Sequence, residues 1–180
     1  MACTLKHVGS SAASCSENYS GIGSKVYVFF PEDLTAAPEY SDSEAGFTED
    51  SFAFSEGKGA YEIRTKKKSG KVTFSSNPQG GGFSNVLTFV VNNDMETMAL
   101  IGRTINNVDT GWMVEDGSGK FYVLYDPVFT PEVTQEGDTG DTPDSDRGIT
   151  VTVTASPMRY GFAKWAGTIT KAAVTPSAGE

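Results

Sequence analysis

The chain has 180 residues, a formal net charge of -9 and a hydrophobic fraction of 38%. That length suits one domain with a real core and is short for two, and the balance of charged and apolar residues excludes a wholly disordered chain. The acidic balance also excludes a surface that grips nucleic acid from outside, because it repels phosphate.

Glycine, Val, Thr, Phe and Tyr are plentiful and long helical runs are nearly absent, so a mostly β domain is expected. Residues 1–24 are rich in Ser, Gly and Ala without a period, and read as a flexible N-terminal arm that orders only against something else. The arm holds Cys3, Cys15 and the single histidine, His7. Two thiols can pair in only one way, yet nothing requires it, and two free thiols in a reducing compartment are the default. MACTLKHVGSS lacks the apolar run of a secretory signal, and no stretch approaches the roughly 18 apolar residues of a membrane span.

KVYVFF (25–30) is a short strand stopped by Pro31. Residues 31–57 are acidic and loop-like, with SFAF (51–54) alternating as a short strand does. AYEIRT (60–65) and KVTFSS (71–76) read as two strands joined through Lys66, Lys67 and Lys68. The three lysines read as a solvated turn or a guarded edge strand; the functional reading is a contact patch for an acidic neighbouring subunit. NPQGGG (77–82) is a break.

The stretch 83–125 is the most legible. In FSNVLTFVV, Phe83, Asn85, Leu87, Phe89 and Val91 point one way and Val86, Thr88 and Val90 the other, which predicts a central strand covered on both faces. Asn93 can cap a short helix, about 94–105, with Glu96 three residues on. Met95, Met98, Ala99, Ile101 and Ile105 form its apolar stripe, the pattern of a lid on a sheet. GWMVED and FYVLYD then flank Gly117-Ser118-Gly119-Lys120, the clearest hairpin of the chain.

Residues 126–148 form a long acidic loop. GITVTVTA (148–155) has strict period two, KWAGTIT (164–170) is a last strand after a bend, and 171–180 is a loose tail. The expected organisation is therefore an arm (1–24), one β domain (25–170) with long loops at 31–57 and 126–148, and a tail.

The chemistry of catalysis is not visible. His7 lies in the arm, so a Ser-His-Asp or Cys-His mechanism has one unsuitable candidate. No CxxC offers a zinc site. The aspartates at 138, 141, 144 and 146 fail the EF-hand pattern, since Gly148 stands at position five and Ala155 at position twelve. GSGK (117–120) has Val114 where a phosphate loop needs its first glycine and Phe121 where it needs Ser or Thr. No enzyme, no cofactor and no metal site are expected.

The order of FSNVLTFVV, the 94–105 helix, VEDGSGKFYVL and SDRGITVTVTASPMRYGFAKWAGTI resembles the tail tube (major tail) proteins of tailed bacteriophages, over roughly residues 60–170. The arm and the 31–57 segment have no counterpart in that resemblance. It implies a single-domain β-sandwich or barrel-like tail tube fold with one short helix and long loops. It also implies a virion protein, assembled in the bacterial host cytoplasm, whose hexameric rings stack into a tube that conducts DNA. The implied partners are other copies of the chain and tail proteins such as a terminator, tape measure or baseplate. DNA would pass only transiently and without specificity, and no membrane anchor is implied. A bore lined by carboxylates would let a phosphate backbone slide.

The inter-subunit candidates are the loop carboxylates Glu132, Glu136, Asp138, Asp141, Asp144 and Asp146, the loop 40–59, and the patch Lys66, Lys67 and Lys68. Deleting 131–146 is expected to impair stacking more than folding. The rival readings are the inner tube of a contractile injection system, or a decoration, neck or adhesin module using Tyr160, Phe162 and Trp165 on a ligand.

Overall fold

The computed structural model describes residues 22–42, 45–77, 80–91, 95–117, 119–138 and 148–173. Within them the protein is mostly β: two antiparallel sheets and one helix, not closed into a barrel. The elements are β1 (Ile22–Phe29), β2 (Tyr61–Arg64), β3 (Lys71–Ser76), β4 (Phe83–Val91), α1 (Met95–Ile105), β5 (Gly111–Asp116), β6 (Phe121–Leu124), β7 (Glu132–Asp138), β8 (Gly148–Met158) and β9 (Lys164–Trp165). One sheet runs β2-β1-β5-β6-β9 and the other β3-β4-β8-β7.

Period two decides which side chains meet between the sheets. Leu87 and Phe89 of β4 and Val151 and Val153 of β8 face Val26 and Val28 of β1 and Trp112 and Val114 of β5; all are buried. The Phe89 and Trp112 rings lie 6.0 Å apart across this core. The opposite face of the five-stranded sheet is buried as well. Tyr27, Phe29, Met113, Val123 and Tyr125 point away from the first core and are all nearly inaccessible.

The cover over them is the segment expected to be an acidic loop. Between its charges, Phe47, Phe52 and Phe54 fold down on the sheet. The Phe52 ring packs edge-on against Phe29 (5.5 Å), Phe47 (5.0 Å), Tyr125 (6.4 Å) and Trp165 (5.3 Å). The sheet makes room at Gly111, where a β-carbon would come within 2.1 Å of the Phe29 ring. Single bridges, Leu34 to Phe54 and Tyr40 to Phe47, replace the strand expected at 51–54. The loop 40–59 is thus a layer of this domain, and its aromatic side chains are spent on their own sheet.

Other boundaries move for local reasons. β1 begins at Ile22, inside the expected arm, because Ile22 pairs with Asp116. β2 and β3 are joined through the lysine turn as expected, yet they belong to different sheets, so the turn is a crossover and not a hairpin. Residues 132–138 of the expected long loop are β7, the edge strand paired with β8. Deleting 131–146 would therefore remove a strand, and folding would not be spared. The last expected strand pairs only at Lys164 and Trp165. Farther on, Lys171, placed in the tail, bridges Ala60.

In α1, Met98 and Ile105 are buried and Ile101 is half-buried, but Ala99 is exposed, so the stripe is narrower than expected. Asn93, Asp94 and the Met95 side chain lie outside the described residues. Gly102 lets the helix sit close on Gln135 of β7, where a β-carbon would meet the side-chain oxygen at 2.2 Å.

Asn85 is the informative exception in β4, a polar side chain only 1% exposed. Its amide nitrogen donates to the Tyr160 carbonyl (3.0 Å) and its oxygen accepts the Phe162 N–H (3.3 Å). It thereby holds a bend in which Phe162 adopts φ +54°, an unusual conformation for a bulky residue. Asn85→Leu strands both backbone groups, so it is expected to cost about 2–4 kcal/mol. Urea denaturation measures this; a loss below about 0.5 kcal/mol would show that the bend needs no such clamp.

Candidate functional site

The five-stranded sheet is covered on both faces, and among the described residues one sheet face has no layer over it: the outer face of β3-β4-β8-β7. Its composition follows from the strict alternation of β8. Val151 and Val153 turn into the core, so Thr150, Thr152 and Thr154 turn outward and stay half-exposed. Across the sheet Thr152 stands level with Thr88, Lys71 and Thr134; Thr154 with Val86, Thr73 and Glu132; Thr150 with Val90 and Glu136. β-branched hydroxyl side chains suit a pleated face in water. The result is a surface of threonine rows.

Among the described residues both edges of this sheet, β3 and β7, are paired on one side only. Glu132, Glu136 and Asp138 all project from β7 on the outer face, and all three are exposed. The structure therefore gathers three of the six carboxylate candidates on one edge strand instead of a loop. Asp141, Asp144 and Asp146 lie outside the described residues. The opposite edge is basic. Lys67 and Lys68 are exposed in the turn ahead of β3, Lys66 is half-buried, and Lys71 opens the strand.

The turn is fixed in height by β4. Lys66 N–H donates to the Val90 carbonyl (2.7 Å), while Ser69 Oγ donates to the Lys66 carbonyl (2.7 Å) and accepts the Val90 N–H (3.1 Å). Lys68 completes it with φ +62°. Since Val90 is level with Thr150 and Glu136, the lysine turn and Glu136 stand at the same height on opposite edges. The sequence reading singled out these lysines and glutamates but missed Lys71 and the threonines. The signal for the latter was the TVTVT alternation itself, which also predicts one solvent-facing row.

The remaining charged contacts are structural. Lys171 and Arg64 both donate to Glu62, and the Lys171 bond leads in holding its carboxyl below the usual range against the effect of burial. Lys58 pairs with the buried Asp33 at 2.9 Å, and Lys164 with Asp116 at 2.8 Å. Burial pulls the Lys164 ammonium down, but Asp116 and Tyr122 together, the hydrogen bond to Asp116 first among them, outweigh it and the net direction is up. Burial, then the hydrogen bond to Asp126, pushes the Tyr40 phenol up. The aromatic set of the binding-module reading is not a surface: Trp165 is 2% exposed and donates to the Glu49 carbonyl, and Tyr160 and Phe162 are half-buried among other rings.

Among the described residues no group of three or more His, Cys, Asp or Glu side chains could hold a metal ion, and no helix is long and apolar enough to cross a membrane. Cys3, Cys15 and His7 lie outside those residues. No protein-family model, curated protein or solved structure matches the chain.

Proposed function

We propose that this protein is the structural subunit of a bacteriophage tail tube, closing side by side into six-membered rings that stack into a conduit for DNA. The observation that carries this reading is the pair of open edges on one sheet, basic at β3 and acidic at β7, with the lysine turn and Glu136 level across it. Open edges are a liability in a monomer. Pairing β7 of one copy with β3 of the next hides both, and such a head-to-tail contact closes into a ring when its rotation divides the circle. The strands alternate in direction across the four-stranded sheet, so β7 and β3 run opposite ways and the new pair continues the antiparallel pattern.

The outer face of that sheet then becomes the wall of the bore. Threonine hydroxyls and the β7 carboxylates would line it, with Lys71 drawn into the contact between copies. A neutral-to-negative wall gives phosphate no anchorage, which suits passage of DNA. The order of strands and helix that resembles the tail tube family supplies the number six and the virion setting.

Negative-stain microscopy and light scattering of the concentrated protein test the reading. Six-fold rings or tubes are expected. A strict monomer at the highest attainable concentration would end it, above all one that bound a glycan or turned over a substrate.

A further inference from the structure

A second surface is built for contact, and nothing in the ring contact uses it. After β6 the chain runs Asp126-Pro127-Val128-Phe129-Thr130-Pro131, and Val128 is 76% and Phe129 49% exposed. Exposed apolar pairs on loops are usually left to fluctuate; this one is held. Asp126 Oδ1 accepts the N–H of Val128 (2.9 Å) and of Phe129 (3.2 Å), and its Oδ2 accepts the Tyr40 hydroxyl (2.8 Å). Tyr40 is in turn stacked on Phe47 at 4.4 Å, so the clamp is anchored in the aromatic layer. Prolines on either side restrict the backbone further. A backbone fixed in advance loses little entropy on binding, which suits the side chains it carries to act as anchors.

The same chain carries a receptor of matching character. Between α1 and the edge strand β2 lies a groove of about 280 Å³, lined by Val28, Phe30, Tyr61, Ile63, Ile101 and Ile105, with Glu62 and Thr104 as its polar members. It continues past Arg64 toward Met98. Its lining is almost wholly apolar, and neither Val128 nor Phe129 of the same chain reaches it. The charges agree with the shapes: the loop runs between Asp126 and Glu132, whereas the one carboxylate along the groove, Glu62, is met by Arg64, Lys171 and Lys25, so cations outnumber it there.

We infer that the Val128–Phe129 loop of one copy docks in the α1–β2 groove of another. Loop and groove are different surfaces, so the contact is head-to-tail and can propagate. It deepens the assembly reading, and rests on it in taking a second copy as the partner.

The test places a photo-crosslinking phenylalanine analogue at position 129 and irradiates a mixture of isotopically heavy and light protein under assembly conditions. Crosslinks between heavy and light chains are expected to concentrate on residues 61–64 and 98–105. Phe129→Glu, and separately Thr104→Arg at the mouth of the groove, are each expected to weaken self-association by about tenfold or more. Both sites are solvent-exposed, so circular dichroism should show an unchanged fold. Crosslinks that stay within one chain, fall on residues 1–21 or map elsewhere on the second copy overturn the inference. So does normal assembly of either variant. If the unmodified protein never self-associates, the assembly reading falls with it; if it assembles but crosslinks elsewhere, only this contact is lost.

Discussion

Truncating Phe52 to alanine is expected to lower the unfolding free energy by about 3–5 kcal/mol, seen as a fall in Tm of roughly 6–20 °C. The reason is its position. Phe52 is 3% exposed and touches four other aromatic rings, so it is the keystone of the layer that residues 31–57 lay over the five-stranded sheet. Removing it leaves a cavity between Phe29, Phe47, Tyr125 and Trp165 that a sheet on one side cannot collapse to fill. Its backbone sharpens the test. Phe52 sits at φ +63°, a conformation that disfavours any residue with a β-carbon. Alanine loses the ring and keeps the strain; glycine loses the ring and relieves it. Phe52→Gly is therefore expected to be about 1 kcal/mol more stable than Phe52→Ala, the reverse of the usual order. Phe129→Ala, at an exposed ring, should change stability by no more than about 0.5 kcal/mol. Should Phe52→Ala unfold within about 1 kcal/mol of the parent, the 31–57 layer is not docked as described.

The same segment shows where sequence reading stops. Residues 83–125 were legible because their information is local: nine residues of period two for β4, a helical stripe for α1, a glycine turn between β5 and β6. In 31–57 the apolar residues are sparse among Ser, Asp and Glu, and only the four residues SFAF show a period. Their partners, Phe29, Tyr125 and Trp165, lie across the sheet, so only the tertiary structure reveals the burial. β7 was missed for another reason. EVTQEGD has two strand formers, Val133 and Thr134, among three carboxylates and an interior glycine, so its propensity is that of a loop; its pairing with the Thr-rich β8 decides the matter. The lysine turn shows the opposite failure. Its local signal was right, but whether two flanking strands pair or part to different sheets is decided by what covers them. Of the candidate site, the charges were legible and their common height across the sheet was not, because register is a property of pairing.

That common height makes a sharp expectation about assembly. Glu132→Lys with Glu136→Lys turns the β7 edge basic, and Lys67→Glu with Lys71→Glu turns the β3 edge acidic. All four side chains are exposed, so both double variants should fold with near-parental stability. Neither should assemble alone. In the first, both edges are positive; in the second, both are negative; a ring of identical copies then sets like charges together at every contact, which costs several kcal/mol. Mixed one to one, the two variants should assemble again, because each edge of one copy now meets an edge of opposite charge on the other. A six-membered ring admits that strict alternation; an odd-numbered ring does not. Raising the salt toward 1 M, where the screening length falls to about 3 Å, should let each variant recover part of its own assembly. Light scattering follows all of these states, and native mass spectrometry of the mixture reads the composition, expected to be three copies of each. Assembly of either variant alone at low salt, or failure of the mixture while the parent assembles, would show that the two open edges of the four-stranded sheet do not meet in the ring.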